Sequence, residues 1–200
     1  MLSDLMKPAG SGSGLGLGLA PRRVGAVAKR AGVHLPGAAE RLPLLKLGRE
    51  DDGVAVWWIG VHGGAGESTL EEIFCGSRAA GHRWPVAPPG TPPVVVVLVA
   101  RTDARGLRAA QSAMQQWQAG ELGLLVVGLV LMADAPGRLP RALQHLASVI
   151  GGGVPRVWSF PWVESWRTGE VPSRSNSPKQ AERLLADLRS VGALGGEAGV

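Results

Sequence analysis

Two hundred residues, 45% of them apolar, suffice for one domain with a packed core, and the single cysteine, Cys75, excludes a disulfide framework or a cysteine-built metal centre. The formal charge of +5 is lopsided: residues 1–50 hold eight Lys/Arg against three Asp/Glu, so the remainder is neutral and a uniformly cationic domain is excluded. The longest apolar run, residues 122–133, falls short of the roughly 20 residues that a membrane-spanning helix needs, which excludes a transmembrane segment of that kind.

Thirty glycines and fifteen prolines exceed what a compact domain carries, and they concentrate toward the ends. Residues 1–45 read as a basic, glycine-rich arm without folded structure. The arm lacks the continuous apolar stretch of a signal peptide, so a cytoplasmic location is expected. Such an arm can touch DNA or an acidic membrane surface through salt-sensitive contacts, or simply keep the protein soluble.

Order is expected from Gly53. The run Val54–Ile59 is apolar throughout and ends in Gly60, the pattern of a strand buried on both faces. Because neighbouring strand residues point to opposite faces, Trp57 and Trp58 are expected in two different cores. After the glycine-rich turn, Leu70, Ile73, Phe74 and Ser77 share one face of a helix that should stop near Gly81. The proline-rich stretch 82–93 resists regular structure, although "RWPV" could supply a brief edge strand.

The run "VVVVLVA", residues 94–100, is a second buried strand. Asp103 can cap a helix whose inner face is Leu107, Ala110, Met114 and Trp117. Residues 124–132 form a third strand, and Leu139, Leu143, Leu146, Ala147 and Ile150 stripe the next helix, with Pro140 in its first turn.

"VPRVWSFPW" is a fourth strand, with Trp158, Phe160 and Trp162 on one face and Trp166 the most accessible of the aromatics. Trp162 and Trp166 are therefore candidates for binding a partner. Residues 167–200 read as a polar linker, a short helix opened by a Ser177–Gln180 capping box, and a loose tail. Strand and helix in alternation imply an α/β fold, a mostly parallel sheet with helices on both faces, and ligands beyond the carboxyl ends of the strands.

The segment "HGGAGEST", residues 62–69, resembles the deviant phosphate-binding loop of the ParA/MinD superfamily of P-loop ATPases. The similarity spans about residues 54–166. It implies a three-layer P-loop NTPase-like fold with a reduced sheet of about four to five strands over residues 53–166. On this resemblance His62 and Glu67 stand at the two lysine positions, and Gly63, Gly64 and Gly66, with Ala65 between them, let backbone amides curl around an anion. Ser68 matches the residue whose hydroxyl meets magnesium, and Thr69 would lie near the α-phosphate. Asp134 falls near a base-reading position, although "DAPG" is equally an ordinary turn.

The chain departs from that family at the chemistry. Neither the first nor the second strand ends in the acidic residue expected there, and Asp103 follows Arg101 and Thr102 instead. Replacing an attractive charge by a repulsive one about 4 Å from a phosphate would cost roughly 2–8 kcal/mol, depending on the effective dielectric. Ser68 and Glu71 also make a capping box that explains both residues without a ligand.

The resulting expectation is a pseudo-ATPase: a non-catalytic interaction or regulatory protein with no cofactor and no catalytic residue. The resemblance extends to uncharacterised actinobacterial proteins encoded near plasmid-transfer genes, which implies a protein partner such as an ATPase of a transfer or partition system. Two alternatives stand beside it. One is a nucleotide switch or weak ATPase that binds ATP with magnesium once a partner completes the site. The other is a DNA-binding accessory protein working through the N-terminal arm.

Overall fold

A computed structural model describes residues 36–120 and 122–194. The expected N-terminal arm lies outside the described residues up to position 35.

Five strands, β2 (Val56–Gly60), β3 (Ser77–Ala79), β5 (Val95–Arg101), β6 (Leu125–Met132) and β7 (Val157–Phe160), form one sheet in the order β3-β2-β5-β6-β7, every pair parallel. Two short strands, β1 (Leu44–Lys46) and β4 (Trp84–Val86), pair in a separate ribbon. "RWPV" thus forms a strand apart from the main sheet. The folded chain starts ahead of Gly53, and Leu42 exchanges backbone–side-chain hydrogen bonds with Gln116 at 2.9 and 3.0 Å.

The alternation of side chains along β2, β5 and β6 splits the interior into two cores, as a sheet covered on both faces requires. On one face Val56, Trp58, Val97, Val99 and Phe160 pack with helices α1 (Glu67–Ile73) and α5 (Lys179–Ser190). On the other, Trp57, Ile59, Val96 and Leu98 pack with α2 (Ala104–Gln118) and α3 (Arg141–Gly151). The fold is α/β, a parallel sheet between two helical layers. A bulge at Val96/Val97 shifts the β5–β6 register so that Val127 faces the first core and Leu129 the second.

Several boundaries differ from the sequence reading. The first helix ends at Ile73 because Gly76 turns the chain left-handed (φ 77°), and Ser77 opens β3 instead of extending the helical stripe. Pro140 is the N-cap of α3 and does not lie in its first turn. The Ser177 hydroxyl donates to Ser173 O (2.6 Å) and does not cap; α5 begins after Pro178. That last helix, expected as an appendage, is a core layer: Leu184 and Leu188 are fully buried, and Trp158 Nε1 donates to Asp187 (2.8 Å). A short helix, α4 (Glu164–Arg167), bridges β7 to it.

Candidate functional site

From β2 the chain passes through α1 to β3 on one side, whereas from β5 it passes through α2 to β6 on the other. The strand order therefore reverses between β2 and β5, and the crevice beyond their carboxyl ends is where open α/β sheets hold ligands. The glycine-rich loop, residues 61–66, leaves β2 on one side of this crevice, and Arg101, the last residue of β5, stands on the other.

The loop needs its glycines unequally. Gly64 (φ 75°) and Gly66 (φ 104°) occupy the left-handed region, and a Cβ on Gly66 would also press on Met132 Cε at 3.2 Å. Gly63 has neither constraint. Gly66 is the N-cap of α1, so Ser68 lies inside the helix and cannot be the capping residue of a box with Glu71. Ser68 is exposed, Thr69 half-buried, and Ala65 buried at the turn's inner side.

Glu67 is the decisive residue. Its side chain bends back under the loop, only 8% exposed, and Oε2 accepts the Gly60 N–H at 2.6 Å. Its other oxygen lies 3.1 Å from His82 Nδ1, which is also 2.9 Å from Gly60 O. Both of these neighbours are acceptors, so the His82 proton sits on Nδ1 and is shared between them. The chain accepts a left-handed His82 (φ 59°) to make this contact, a conformation that costs a non-glycine residue about 1–3 kcal/mol. Gly60 has to lack a side chain, because a Cβ there would stand 2.8 Å from both Glu67 Cδ and His82 Nδ1.

His62 crosses the crevice. Its Nε2 accepts the Arg101 N–H at 3.0 Å, which leaves the ring proton on Nδ1, directed at Gly63 O at 2.9 Å. The helix behind it has to approach closely: a Cβ on Gly106 would meet His62 Nε2 at 2.8 Å and Arg101 O at 2.4 Å. Arg101 returns the link, with Nε donating to Gly64 O at 3.0 Å and Nη1 to Ala133 O at 2.8 Å. Burial lowers the guanidinium's pKa from its usual value, and the carboxylates of Asp134 and Asp103 oppose that shift.

Both aspartates are themselves engaged. Asp103 caps α2 through Gly106 N (2.8 Å), as its position predicts, and Asp134 accepts the Thr102 hydroxyl at 2.5 Å while its own N–H meets that hydroxyl at 3.2 Å. The structure thus sets two hydrogen-bonded groups around the loop, Glu67 with Gly60 and His82, and His62 with Arg101, Gly63 and Gly64, so that Gly60, His82 and Arg101 join the expected residues. Sequence reasoning passed over these three. The signal for Arg101 was present, a cation at the end of an otherwise apolar strand, whereas nothing local linked His82 to Glu67.

Of the aromatics, Trp162 is half-buried and donates to Glu164 at 2.5 Å. Trp166 is packed against the first core, and Nε1 donates to Asn176 at 3.1 Å, so it is less free than its sequence position suggests. Among the described residues no group of three or more His, Cys, Asp or Glu side chains is placed to hold a metal, and no helix is long and apolar enough to cross a membrane. A concavity at the opposite edge of the sheet, lined by residues 86–94 and 122–124, contains no titratable side chain.

Residues 54–182, well over half of the chain, match the family described as a family of unknown function, DUF6668. No curated protein and no solved structure matches the chain.

Proposed function

The chain belongs to that family of unknown function, and from this premise we propose that it is a non-catalytic interaction or regulatory protein, a degenerate relative of the ParA/MinD ATPases whose phosphate loop is closed from within. The observation that carries this reading is the Glu67 carboxylate held by Gly60 N at 2.6 Å and by His82 at 3.1 Å. Where those ATPases present a cation to the phosphates, this protein has an acid committed to its own backbone. The neighbouring crevice is spanned by the His62–Arg101–Gly64 bridge, so the chain's own side chains occupy the place of a ligand. The similarity to proteins encoded near plasmid-transfer genes makes an ATPase of a transfer or partition system the partner to test first.

A second reading, a nucleotide switch completed by a partner, draws on one observation. Arg101 brings a guanidinium to the loop from β5, so a cation stands beside Gly64 although neither lysine is present. Titration of the full-length protein with ATP and magnesium, followed by tryptophan fluorescence and calorimetry, separates the two. The proposal expects no saturable response. A dissociation constant below about 100 μM, lost in Arg101→Met, would establish the switch instead.

A further inference from the structure

Helices α2 and α3 lie side by side and run in the same direction, their carboxyl ends tied by Gln118 Nε2 donating to Gly153 O at 3.1 Å. Their first turns therefore share the carboxyl edge of the sheet. Arg105 and Arg108 project from the start of α2, and Arg138 and Arg141 from the approach to α3 and its first residue; all four are exposed. Among the described residues no hydrogen bond or ion pair engages the side chain of any of them. The two carboxylates nearby, Asp103 and Asp134, are occupied with the α2 cap and with Thr102.

Stability does not explain this arrangement. The amino-terminal end of a helix carries partial positive charge and favours acidic residues; α2 has one at its N-cap, Asp103, whereas the N-cap of α3 is Pro140, and the first turn of neither helix holds an acid. Four guanidiniums gathered there repel the helix ends and one another, and an external anion relieves both.

We infer that this edge is a polyanion-binding surface that takes the phosphate backbone of nucleic acid, independently of base sequence. Arginine suits phosphate because its planar fork donates two parallel hydrogen bonds. Packed helices lie about 8–10 Å apart, and duplex DNA carries one charge per roughly 1.7 Å of axis, so the two arginine pairs meet different phosphates of one duplex. An acidic membrane is the less suitable partner, because interfacial binding needs apolar side chains among the cations. The large hydrophobics exposed among the described residues are Leu44, Val149, Val157 and Val171, none of which lies in the first turn of α2 or α3. This surface belongs to the folded domain and is separate from any contribution of residues 1–35. It also does not depend on the state of the glycine-rich loop.

The test uses full-length protein and a fluorescein-labelled duplex of arbitrary sequence, with anisotropy measured between about 50 and 200 mM salt. The parent is compared with Arg105→Gln/Arg108→Gln, Arg138→Gln/Arg141→Gln and the quadruple variant. Each phosphate contact contributes about −0.9 to the slope of log affinity against log salt, so each pair removed should flatten the slope by about 1.8 and the quadruple by about 3.6. Thermal melting should show every variant at least as stable as the parent, because the replaced charges oppose the helix dipoles. A quadruple variant that stays folded and binds the duplex with the parent's slope overturns the inference. So does arginine-dependent binding to vesicles of anionic phospholipid without binding to the duplex.

Discussion

Replacing Glu67 by alanine removes the acceptor on which the end of β2 depends. The hydrogen bond from Gly60 N to the carboxylate is short (2.6 Å) and buried, and such a bond to a charged group contributes about 1.5–3 kcal/mol. Loss of the buried Cγ methylene adds about 0.8 kcal/mol. The contact with His82 adds little, because that imidazole's side chain is 39% exposed and water competes for it. The expected total is about 3 kcal/mol, which for a domain of this size lowers the melting temperature by about 6–12 °C. Glu67→Gln should cost less, since its carbonyl can still accept from Gly60 N while its amide confronts the His82 Nδ1 proton. Glu67→Lys should be as damaging as alanine or worse, and should gain no nucleotide affinity. It would set an ammonium against two groups, Gly60 N–H and His82 Nδ1–H, that are both donors. Urea unfolding followed by the fluorescence of the seven tryptophans measures all three variants. An alanine variant within about 0.5 kcal/mol of the parent, or a stable lysine variant that binds ATP, would refute the account.

Two further outcomes follow from close contacts at the sheet. Gly128→Ala builds a Cβ 2.4 Å from Trp158 Cζ3 and 2.6 Å from Arg156 O; because the second obstacle is backbone, β7 has to move, and a loss of about 3 kcal/mol or failure to express in soluble form is expected. Arg101→Met keeps the aliphatic stem but removes the donors to Gly64 O and Ala133 O, so amide hydrogen exchange should accelerate in residues 62–66 and 133–136 while α5 stays protected. Unchanged protection in the loop would show that the guanidinium does not hold it.

The layers of this fold were legible in the sequence because they rest on periodicity. The unbroken apolar runs behind β2, β5 and β6 can only be strands covered on both sides, and the neighbours Trp57 and Trp58 fall in separate cores by the geometry of a strand alone. Asp103 was identifiable as a cap from its place before an amphipathic stretch. Short strands were harder: β3 follows a glycine-broken helix, β1 falls in a stretch read largely as arm, and β4, legible as "RWPV", pairs with β1 across residues remote in the chain and not with the main sheet. The Ser68 and Ser177 capping boxes failed because a local pattern names a cap without knowing where tertiary packing starts the helix.

The sequence by itself determined that an acid, Glu67, follows the glycine-rich turn, and that the loop closes a buried strand. Only the tertiary structure decided where that acid points. Its direction depends on Gly60 lacking a side chain and offering its N–H, and on His82 adopting a left-handed backbone after β3 to reach the second oxygen. A carboxylate's partner is chosen by three-dimensional proximity and by the desolvation penalty of leaving it unpaired, and neither quantity can be read from the spacing of residues along a chain.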